Sequence, residues 1–215
     1  MIYLLSDLHC GENIKGFFEF LEKSNPEDTL ILLGDIGLRF EDTEQCREFE
    51  QYFLSANRQV AFIDGNHENF DFLETFPVES WNGGMVHRLS ENVVHLMRGE
   101  IFKIDGKSFF AFGGCISSAK WKDLGQWYPQ ERATEEELSR AYENLKNYNY
   151  KVDYILTHKT EFHGVRGTNY PEYLEINKFL FDKVEYKCWY AGHWHESRVI
   201  DEKHILVYDE LLTLE

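Results

Sequence analysis

The stretch Phe62-Ile63-Asp64-Gly65-Asn66-His67-Glu68 decides how the rest of the chain is interpreted. It begins as the end of a short apolar segment, as a buried strand would, and it breaks at Gly65. Two polar residues follow. The amide oxygen of Asn66 can coordinate a hard cation, and the imidazole of His67 can carry a proton near neutral pH. Gly-Asn-His alone is also ordinary turn chemistry, so the interpretation depends on how the other strands end.

Four other apolar segments have the same design, and each ends in Asp or His. They cover residues 2–9, 30–35, 154–158 and 189–195. In open α/β sheets, ligands bind at the carboxyl ends of the strands. We therefore expect five strands, lying side by side, to bring their polar ends to one rim. The residues expected at this rim are Asp7, His9, Asp35, Asn66, His67, His158, His193 and His195.

The residue types at this rim indicate a pair of divalent transition metals. Alternate residues of a strand leave it on the same face, so Asp7 and His9 can converge on one point, as can His193 and His195. Carboxylates, an amide and several imidazoles form a mixed oxygen and nitrogen shell, which suits transition metals. Calcium and magnesium prefer shells made of oxygen alone.

The five segments together resemble the calcineurin-like metallophosphoesterase superfamily. Asp-x-His, Gly-Asp, Gly-Asn-His-Glu, a lone His after a strand and Gly-His-x-His follow one another between residue 2 and about residue 208. The resemblance implies an α/β fold in which a two-sheet β-sandwich is flanked by helices, in four αββα layers. The length of 215 residues favours one domain, over residues 1–215.

The resemblance also implies a role for each rim residue. One metal would be held by Asp7, His9 and His195, the other by Asn66, His158 and His193, and Asp35 would bridge them. A hydroxide shared by the two metals would attack phosphorus in line. His67 would protonate the leaving oxygen or hold the phosphate. We expect Mn²⁺ at both positions, with Fe, Zn or Co as alternatives.

The segment after the bridging carboxylate departs from better-known branches of the superfamily. Protein Ser/Thr phosphatases carry Gly-Asp-x-x-Asp-Arg-Gly, whereas this chain has Gly-Asp-Ile-Gly-Leu-Arg-Phe. Arg39 falls where their phosphate-binding Arg lies, so it is expected to contact the substrate. Leu38 replaces the Asp that would pair with the catalytic His, and Glu68 or Asp71 would have to partner His67 instead. Leu38 also cannot act as the metal-ligating Tyr of purple acid phosphatases.

Hydrophobic periodicity predicts the order of helices and strands. Strands and helices alternate up to residue 63, and Thr43 and Thr134 are expected to cap helices. Antiparallel strands of a second sheet are expected in the middle of the chain, with Asp105-Gly106 as a turn. Predicted strands cover 29–33, 59–63, 93–97, 100–104, 107–112, 152–156 and 187–191, and predicted helices cover 11–23, 134–148 and 172–184.

Two segments are expected to be loops that select the substrate, residues 83–89 and 115–132. The second contains Trp121, Trp127 and Tyr128, which would either line a pocket or fill a packing gap, and packing is favoured. His163, five residues after His158, could reach the pocket, but a surface position is preferred.

Composition restricts the substrate and the compartment. A formal net charge of −16 disfavours an extended nucleic-acid partner and leaves a small phosphoester as the expected one. No apolar run approaches the ~20 residues of a membrane span, and no signal peptide is visible, so we expect no membrane association. Four widely spaced cysteines predict reduced thiols and a cytoplasmic location, with Cys10 as a buried small side chain rather than a metal ligand.

The function predicted from these features is hydrolysis of a phosphomonoester or phosphodiester, most simply of a small molecule or nucleotide. Two alternatives on the same fold are a non-catalytic module that binds a protein partner and a module that senses a ligand. Non-catalytic scaffolds typically lose metal ligands, whereas all of the expected ligands are present here. The hydrolase is therefore the favoured interpretation.

Overall fold

The computed structural model describes residues 1–160 and 170–214. The strands are β1 (Ile2–Leu5), β2 (Thr29–Leu32), β3 (Gln59–Phe62), β4 (Val78–Trp81), β5 (Gly84–Arg88), β6 (Val93–Leu96), β7 (Glu100–Ile104), β8 (Lys107–Phe112), β9 (Tyr154–Thr157), β10 (Cys188–Ala191), β11 (Arg198–Val199), β12 (His204–Leu206) and β13 (Leu212–Leu214). The helices are α1 (Lys15–Lys23), α2 (Glu44–Leu54), α3 (Phe70–Leu73), α4 (Ala119–Asp123), α5 (Glu135–Asn147) and α6 (Pro171–Lys183), with 3-10 turns at His9–Gly11 and Pro129–Glu131.

The strands form two mixed sheets. The first has the order β13-β1-β2-β3-β6-β5-β4, in which β1, β2, β3 and β6 are parallel. The second has the order β11-β12-β10-β9-β8-β7, in which β12, β10, β9 and β8 are parallel. Antiparallel strands close both edges of each sheet. Both sheets therefore have a central group of strands whose carboxyl ends point the same way.

The two sheets stack face to face, and helices cover their outer faces. Side chains alternate across each strand, so Leu4 of β1 packs between the sheets while Leu5 packs outward. Phe17 of α1 and Phe53 of α2 share the outward cluster of the first sheet. Helices α5 and α6 cover the second sheet, with Leu145 among the buried residues. The expected α/β fold, a two-sheet sandwich flanked by helices, is confirmed.

The predicted helix caps are present. The Thr43 hydroxyl accepts a hydrogen bond from the Cys46 N–H at 3.2 Å. Thr134 and Glu137 form a capping box, with 2.7 Å from the Thr134 N–H to the Glu137 carboxylate. The first helix begins at Lys15 rather than residue 11, because His9–Gly11 is a separate turn with φ of 43°, 53° and 88° along its three residues.

The middle of the chain differs from the prediction. β6 was expected in the second sheet but pairs in parallel with β3 in the first. The five ligand-bearing strands are not side by side, since β9 and β10 belong to the second sheet. Residues 83–89, expected to be a substrate loop, contain β5, which forms a hairpin with β4. The hairpin forms because the turn at Asn82 and Gly83 has φ values of 50° and 96°, which suit a tight connection between two antiparallel strands.

The cysteine prediction is wrong for two of the four residues. Cys10 and Cys46 form a disulfide, with 4.8 Å between their Cα atoms and 36 residues between them in sequence. The pairing depends on the turn after β1 packing against the start of α2, which spacing in sequence does not show. Cys115 and Cys188 are buried thiols. The expectation of reduced thiols, which supported a cytoplasmic location, therefore fails for this pair.

Two further expectations from the sequence concern membrane association and the position of His163. Among the helices of residues 1–160 and 170–214, none is both long and apolar enough to cross a membrane. His163 lies outside the described residues.

Candidate metal centre

The predicted rim exists where the carboxyl ends of the two sheets meet. Asp7 and Asp35 follow β1 and β2 in the first sheet, whereas His158 and His193 follow β9 and β10 in the second. A direct contact joins the two sheets at this edge, because the His193 N–H donates to Asp7 Oδ2 at 2.9 Å. The ligand-bearing loops therefore face one another across the sandwich.

The acid and imidazole side chains converge in two groups. Asp7, His9 and His195 form the first, and Asp35, His158 and His193 form the second, with one ligand atom of each residue within 4.8 Å of the others in its group. In the first group the Nε2 atoms of His9 and His195 are 3.0 Å apart. In the second, His193 Nδ1 lies 3.3 Å from His158 Nε2.

Asp35 lies between the two groups. Its Oδ1 is 3.4 Å from His158 Nε2, and its Oδ2 is 3.7 Å from His9 Nε2. The backbone N–H of His67 donates to Oδ1 at 2.7 Å, which holds the carboxylate in place. A single carboxylate therefore faces a ligand of each group with a different oxygen, as a bridging ligand must.

Two buried oxygens at the centre lack hydrogen-bond partners among the described residues. These atoms are Asp7 Oδ1 and Asn66 Oδ1, on side chains that are at most 4% exposed. Buried polar atoms are normally paired, and a cation would satisfy these two. The Asn66 amide is oriented by Ser117, since Nδ2 donates to the Ser117 hydroxyl at 3.3 Å and leaves the oxygen for the centre. The residues present thus fit divalent metals.

The carboxylate and imidazoles at the centre shift one another's pKa values. Burial raises the pKa of Asp35, but the neighbouring His158 outweighs it, and the pKa is held well below its ordinary value. Burial lowers the pKa of His158, but Asp35 outweighs it and raises the pKa to about 9. His193 differs: burial and the charges of His158 and Lys159 lower its pKa to about 3, so its imidazole is neutral.

The orientation of His158 is fixed from behind. Its Nδ1 lies 2.7 Å from the carbonyl oxygen of Leu33, to which it donates, and this leaves Nε2 directed at the centre. Metal-binding histidines commonly have their second nitrogen held in this way. The arrangement is typical of a metal ligand.

Several of the converging residues have left-handed backbone conformations. Positive φ is uncommon for residues other than glycine, and its cost is accepted mainly at functional sites. The residues concerned are Asp7, His9, Asp35, His193 and His195, with φ between 43° and 72°. The surrounding contacts therefore hold these side chains in positions that an isolated chain would avoid.

The glycines that precede the ligands make room for ligands of neighbouring strands. A Cβ on Gly65 would lie 2.0 Å from Asp35 Oδ1, and a Cβ on Gly34 would lie 2.5 Å from His158 Nδ1. A Cβ on Gly192 would lie 2.9 Å from Asp7 Oδ2. The Gly-Asp, Gly-Asn-His and Gly-His pairs in the sequence thus share one steric cause.

His67 lies at the wall of the centre without the partner that was expected. Its ring is 4.7 Å from that of Phe40 and 4.6 Å from that of Trp121, and burial lowers its pKa. No described residue hydrogen-bonds the ring. Glu68 instead accepts the N–H groups of the loop after β2, at 2.9 and 3.2 Å, and Asp71 accepts from a glutamine at 3.2 Å.

The structure does not bring Arg39 to the centre. Its guanidinium pairs with both carboxylate oxygens of Glu50, at 2.7 and 2.8 Å, and stacks 4.0 Å from the Phe72 ring. Of the described residues that line the cavity, Lys159 is the only lysine or arginine. Lys159 directly follows His158, and nothing in the sequence distinguishes it from other lysines, because only its position in the fold places it at the cavity.

A cavity of about 730 Å³ opens over the ligands. Trp121 lines it, whereas Trp127 and Tyr128 are not among its described lining residues. Cys10 and Cys46 lie at its rim, so the disulfide joins the loop that carries His9 to α2.

A two-sheet sandwich with paired Asp and His groups at the carboxyl ends of its strands defines a class, the metal-dependent phosphoesterases. The chain matches the model of the calcineurin-like phosphoesterases over residues 1–197 and belongs to that family. The family implies divalent metal ions and phosphoester hydrolysis. These statements hold for the family in general.

Two solved structures match this chain at low sequence identity, and the first has a similar fold. TT1561 from Thermus thermophilus is 12% identical, with a TM-score of 0.52 over 97% of this chain and 88% of that chain. AQ665 from Aquifex aeolicus, a protein of unknown function, is 15% identical, with a TM-score of 0.44 over 86% of this chain and 87% of that chain. A search of curated proteins found no significant match.

Proposed function

We propose that this protein, acting as one domain over residues 1–215, hydrolyses a phosphomonoester or phosphodiester of a small molecule or nucleotide at a two-metal centre. The observation that carries the proposal is the position of Asp35, whose two oxygens lie 3.4 and 3.7 Å from ligands of different groups. A scaffold that only bound a partner would have no need for such a carboxylate. The Mn²⁺ ion is the preferred occupant, with Fe, Zn and Co compatible with the same ligands.

Each residue of the centre has a role in this proposal. Asp7, His9 and His195 would hold one ion, Asn66, His158 and His193 would hold the other, and Asp35 would be shared by both. Bound ions would supply an activated water as nucleophile and would polarise the phosphoryl oxygens. In the first group Asp7 is the only carboxylate, and the Nε2 atoms of His9 and His195 are 3.0 Å apart, close enough to share one ion.

His67 and Lys159 would act on the substrate. The His67 imidazole lines the cavity beside Asn66 and His9, where it can donate a proton to the leaving oxygen. Lys159 supplies a positive charge at the cavity wall and takes the phosphate-binding role that the sequence suggested for Arg39. Its ammonium lies 5.3 Å from the Trp194 ring, which orients it.

The proposal is tested by hydrolysis of p-nitrophenyl phosphate and bis-p-nitrophenyl phosphate. Protein stripped with a chelator is assayed with and without added Mn²⁺, and bound metal is measured in the same samples. We expect turnover only with metal, and the ratio of the two rates distinguishes a monoesterase from a diesterase. Protein that binds metal fully and turns over neither ester nor any phosphoester in a broad panel would contradict the proposal and favour a binding module.

We expect His67→Ala to slow hydrolysis according to the leaving group. Loss of general acid catalysis costs typically about 10²–10⁴-fold, and an alcohol needs the proton more than p-nitrophenolate does. Metal content should stay at the wild-type level, because the ring is not a ligand in this proposal. The measurement is kcat for alkyl and aryl esters of matched charge. Equal slowing of both esters would contradict the acid role.

We expect Lys159→Ala and Arg39→Ala to differ in KM. A charge-assisted hydrogen bond contributes about 1.5–3 kcal/mol, so loss of Lys159 should raise KM roughly tenfold or more. Arg39 is occupied by Glu50 and should have little effect. Steady-state kinetics of both variants with one substrate provides the comparison. A larger effect from Arg39→Ala would restore the assignment made from the sequence.

A further inference from the structure

Trp121 occupies a position that packing of the core does not explain. It lies on α4, a helix of five residues, none of which is buried. Its side chain is nevertheless held against the rings of His67 and Phe40, at 4.6 and 6.1 Å. A large aromatic residue on a short helix without buried contacts is better explained by what it faces, and it faces the cavity.

Phe40 and Trp121 together form an aromatic wall on one side of His67. Both ring centroids lie within 5 Å of the His67 ring, with interplanar angles of 46° and 83°. Phe40 is 9% exposed and packs 6.1 Å from the Trp121 ring, whereas Trp121 is only half-buried. An accessible indole therefore borders the space next to the proposed proton donor.

The aromatic wall lies where the leaving group of the substrate would be bound. If His67 protonates the leaving oxygen, the group attached to that oxygen must extend along the same side of the cavity. The cavity of about 730 Å³ has room for a group much larger than a phosphate. The cavity lining also includes Glu12 and Glu41, and the ammonium of Lys120 lies 5.0 Å from the Trp121 ring.

We propose that the leaving group carries a neutral planar ring, such as the base of a nucleoside monophosphate ester, which stacks on Trp121. This inference rests on the proposed function and specifies the substrate class of the same site. Base stacking on an aromatic side chain contributes enough to change affinity about tenfold or more.

The test compares AMP with ribose 5-phosphate as competitors of a chromogenic ester. The two compounds carry the same phosphate on the same sugar oxygen and differ only in the base. We expect the inhibition constant of AMP to be about tenfold lower or more, and the ratio to fall toward one in Trp121→Ala. Trp121→Phe should keep most of the preference, because the ring is retained.

Trp127→Ala serves as the matched control. Trp127 lies six residues further along the same segment, half-buried and outside the described lining of the cavity, so this variant should keep the wild-type ratio. Equal inhibition by the two compounds in the wild type, or an unchanged ratio in Trp121→Ala, would overturn the inference while metal-dependent turnover still supports the proposed function. Absence of metal-dependent turnover of any ester would overturn both.

Discussion

Asp35→Asn is expected to lower kcat/KM by more than a hundredfold and to reduce bound metal. Outer partners of metal ligands already contribute about 10–100-fold to affinity or activity, so a carboxylate that is proposed to be shared by both ions should contribute more. Asparagine keeps the size of the side chain and can still accept the N–H of His67, which is 2.7 Å away. What it loses is the negative charge that offsets repulsion between two cations, and one of two ligand oxygens.

The measurement combines steady-state kinetics with metal content by elemental analysis. Asp182→Asn is a suitable control, because Asp182 lies on α6 and pairs at the surface with Lys178. The control should retain wild-type metal content and turnover. An Asp35→Asn protein that keeps near wild-type turnover would show that this carboxylate is not a shared ligand. A folded variant that loses activity but keeps both metals would indicate a role in orientation instead.

Arg98→Met is expected to lower the free energy of unfolding by about 3–5 kcal/mol. Arg98 is 3% exposed, and its Nε donates to Asp64 Oδ2 at 2.9 Å, with a second contact from Nη2 to the same oxygen. It also donates to the carbonyl oxygens of Gln130 and Arg132, at 3.0 and 3.2 Å. Methionine fills much of the volume but leaves the Asp64 carboxylate buried without its main countercharge.

Urea unfolding followed by circular dichroism measures the effect. The control is Arg47→Met, which removes an ion pair at the surface with Asp42 and should cost roughly 0–1 kcal/mol. A loss below about 1 kcal/mol in Arg98→Met would mean that the buried pair contributes little. In that case Asp64 would have to be satisfied by His95, which lies 3.2 Å from it.

The same pair makes the stability depend on pH in one direction. Burial raises the pKa of Asp64, but the charge of Arg98 and the hydrogen bond from His95 outweigh it and hold the pKa below the ordinary value. The contribution of this carboxylate is therefore complete above the pKa of the unfolded chain, about 3.9, and is lost as the pH falls below it. Arg98→Met should lose most of this acid-side dependence.

This ion pair also connects stability to the site. Asp64 immediately precedes Gly65 and Asn66, and Arg98 holds the segment that contains Glu131. The Glu131 carboxylate accepts the Ser117 N–H at 2.6 Å, and Ser117 in turn orients the Asn66 amide. Loosening the pair should therefore also disturb Asn66, a proposed metal ligand.

The convergence of the candidate ligands was predictable because their signals are local. Each lies within a few residues of the end of an apolar strand, and the carboxyl ends of parallel strands gather at one edge. Glycine precedes Asp35, Asn66 and His193 because a Cβ there would collide with the ligands of neighbouring strands or, at Gly192, with Ser6 and Asp7. This steric requirement is visible in a single sequence as a glycine before each of these residues.

Features that depend on two distant segments were predicted poorly. The disulfide joins residues 36 apart, and β6 pairs with β3 although its own pattern equally suits the second sheet. Arg39 matches the phosphate-binding Arg of the related motif in residue type and position, but it forms an ion pair with Glu50 on α2 and does not line the cavity. Ser117 and Trp121 belong to an irregular segment in which neither periodicity nor spacing indicates orientation.

The sequence by itself therefore determined the fold family, the chemistry of the ligands and the strands that carry them, because these are set by residue type and by strand ends. Only the tertiary structure decided how the strands divide between two sheets, whether Arg39 or Lys159 reaches the cavity, and which aromatic ring borders His67. Those outcomes depend on packing and ion pairing between segments far apart in the chain, and the free-energy differences involved are not encoded in any one segment.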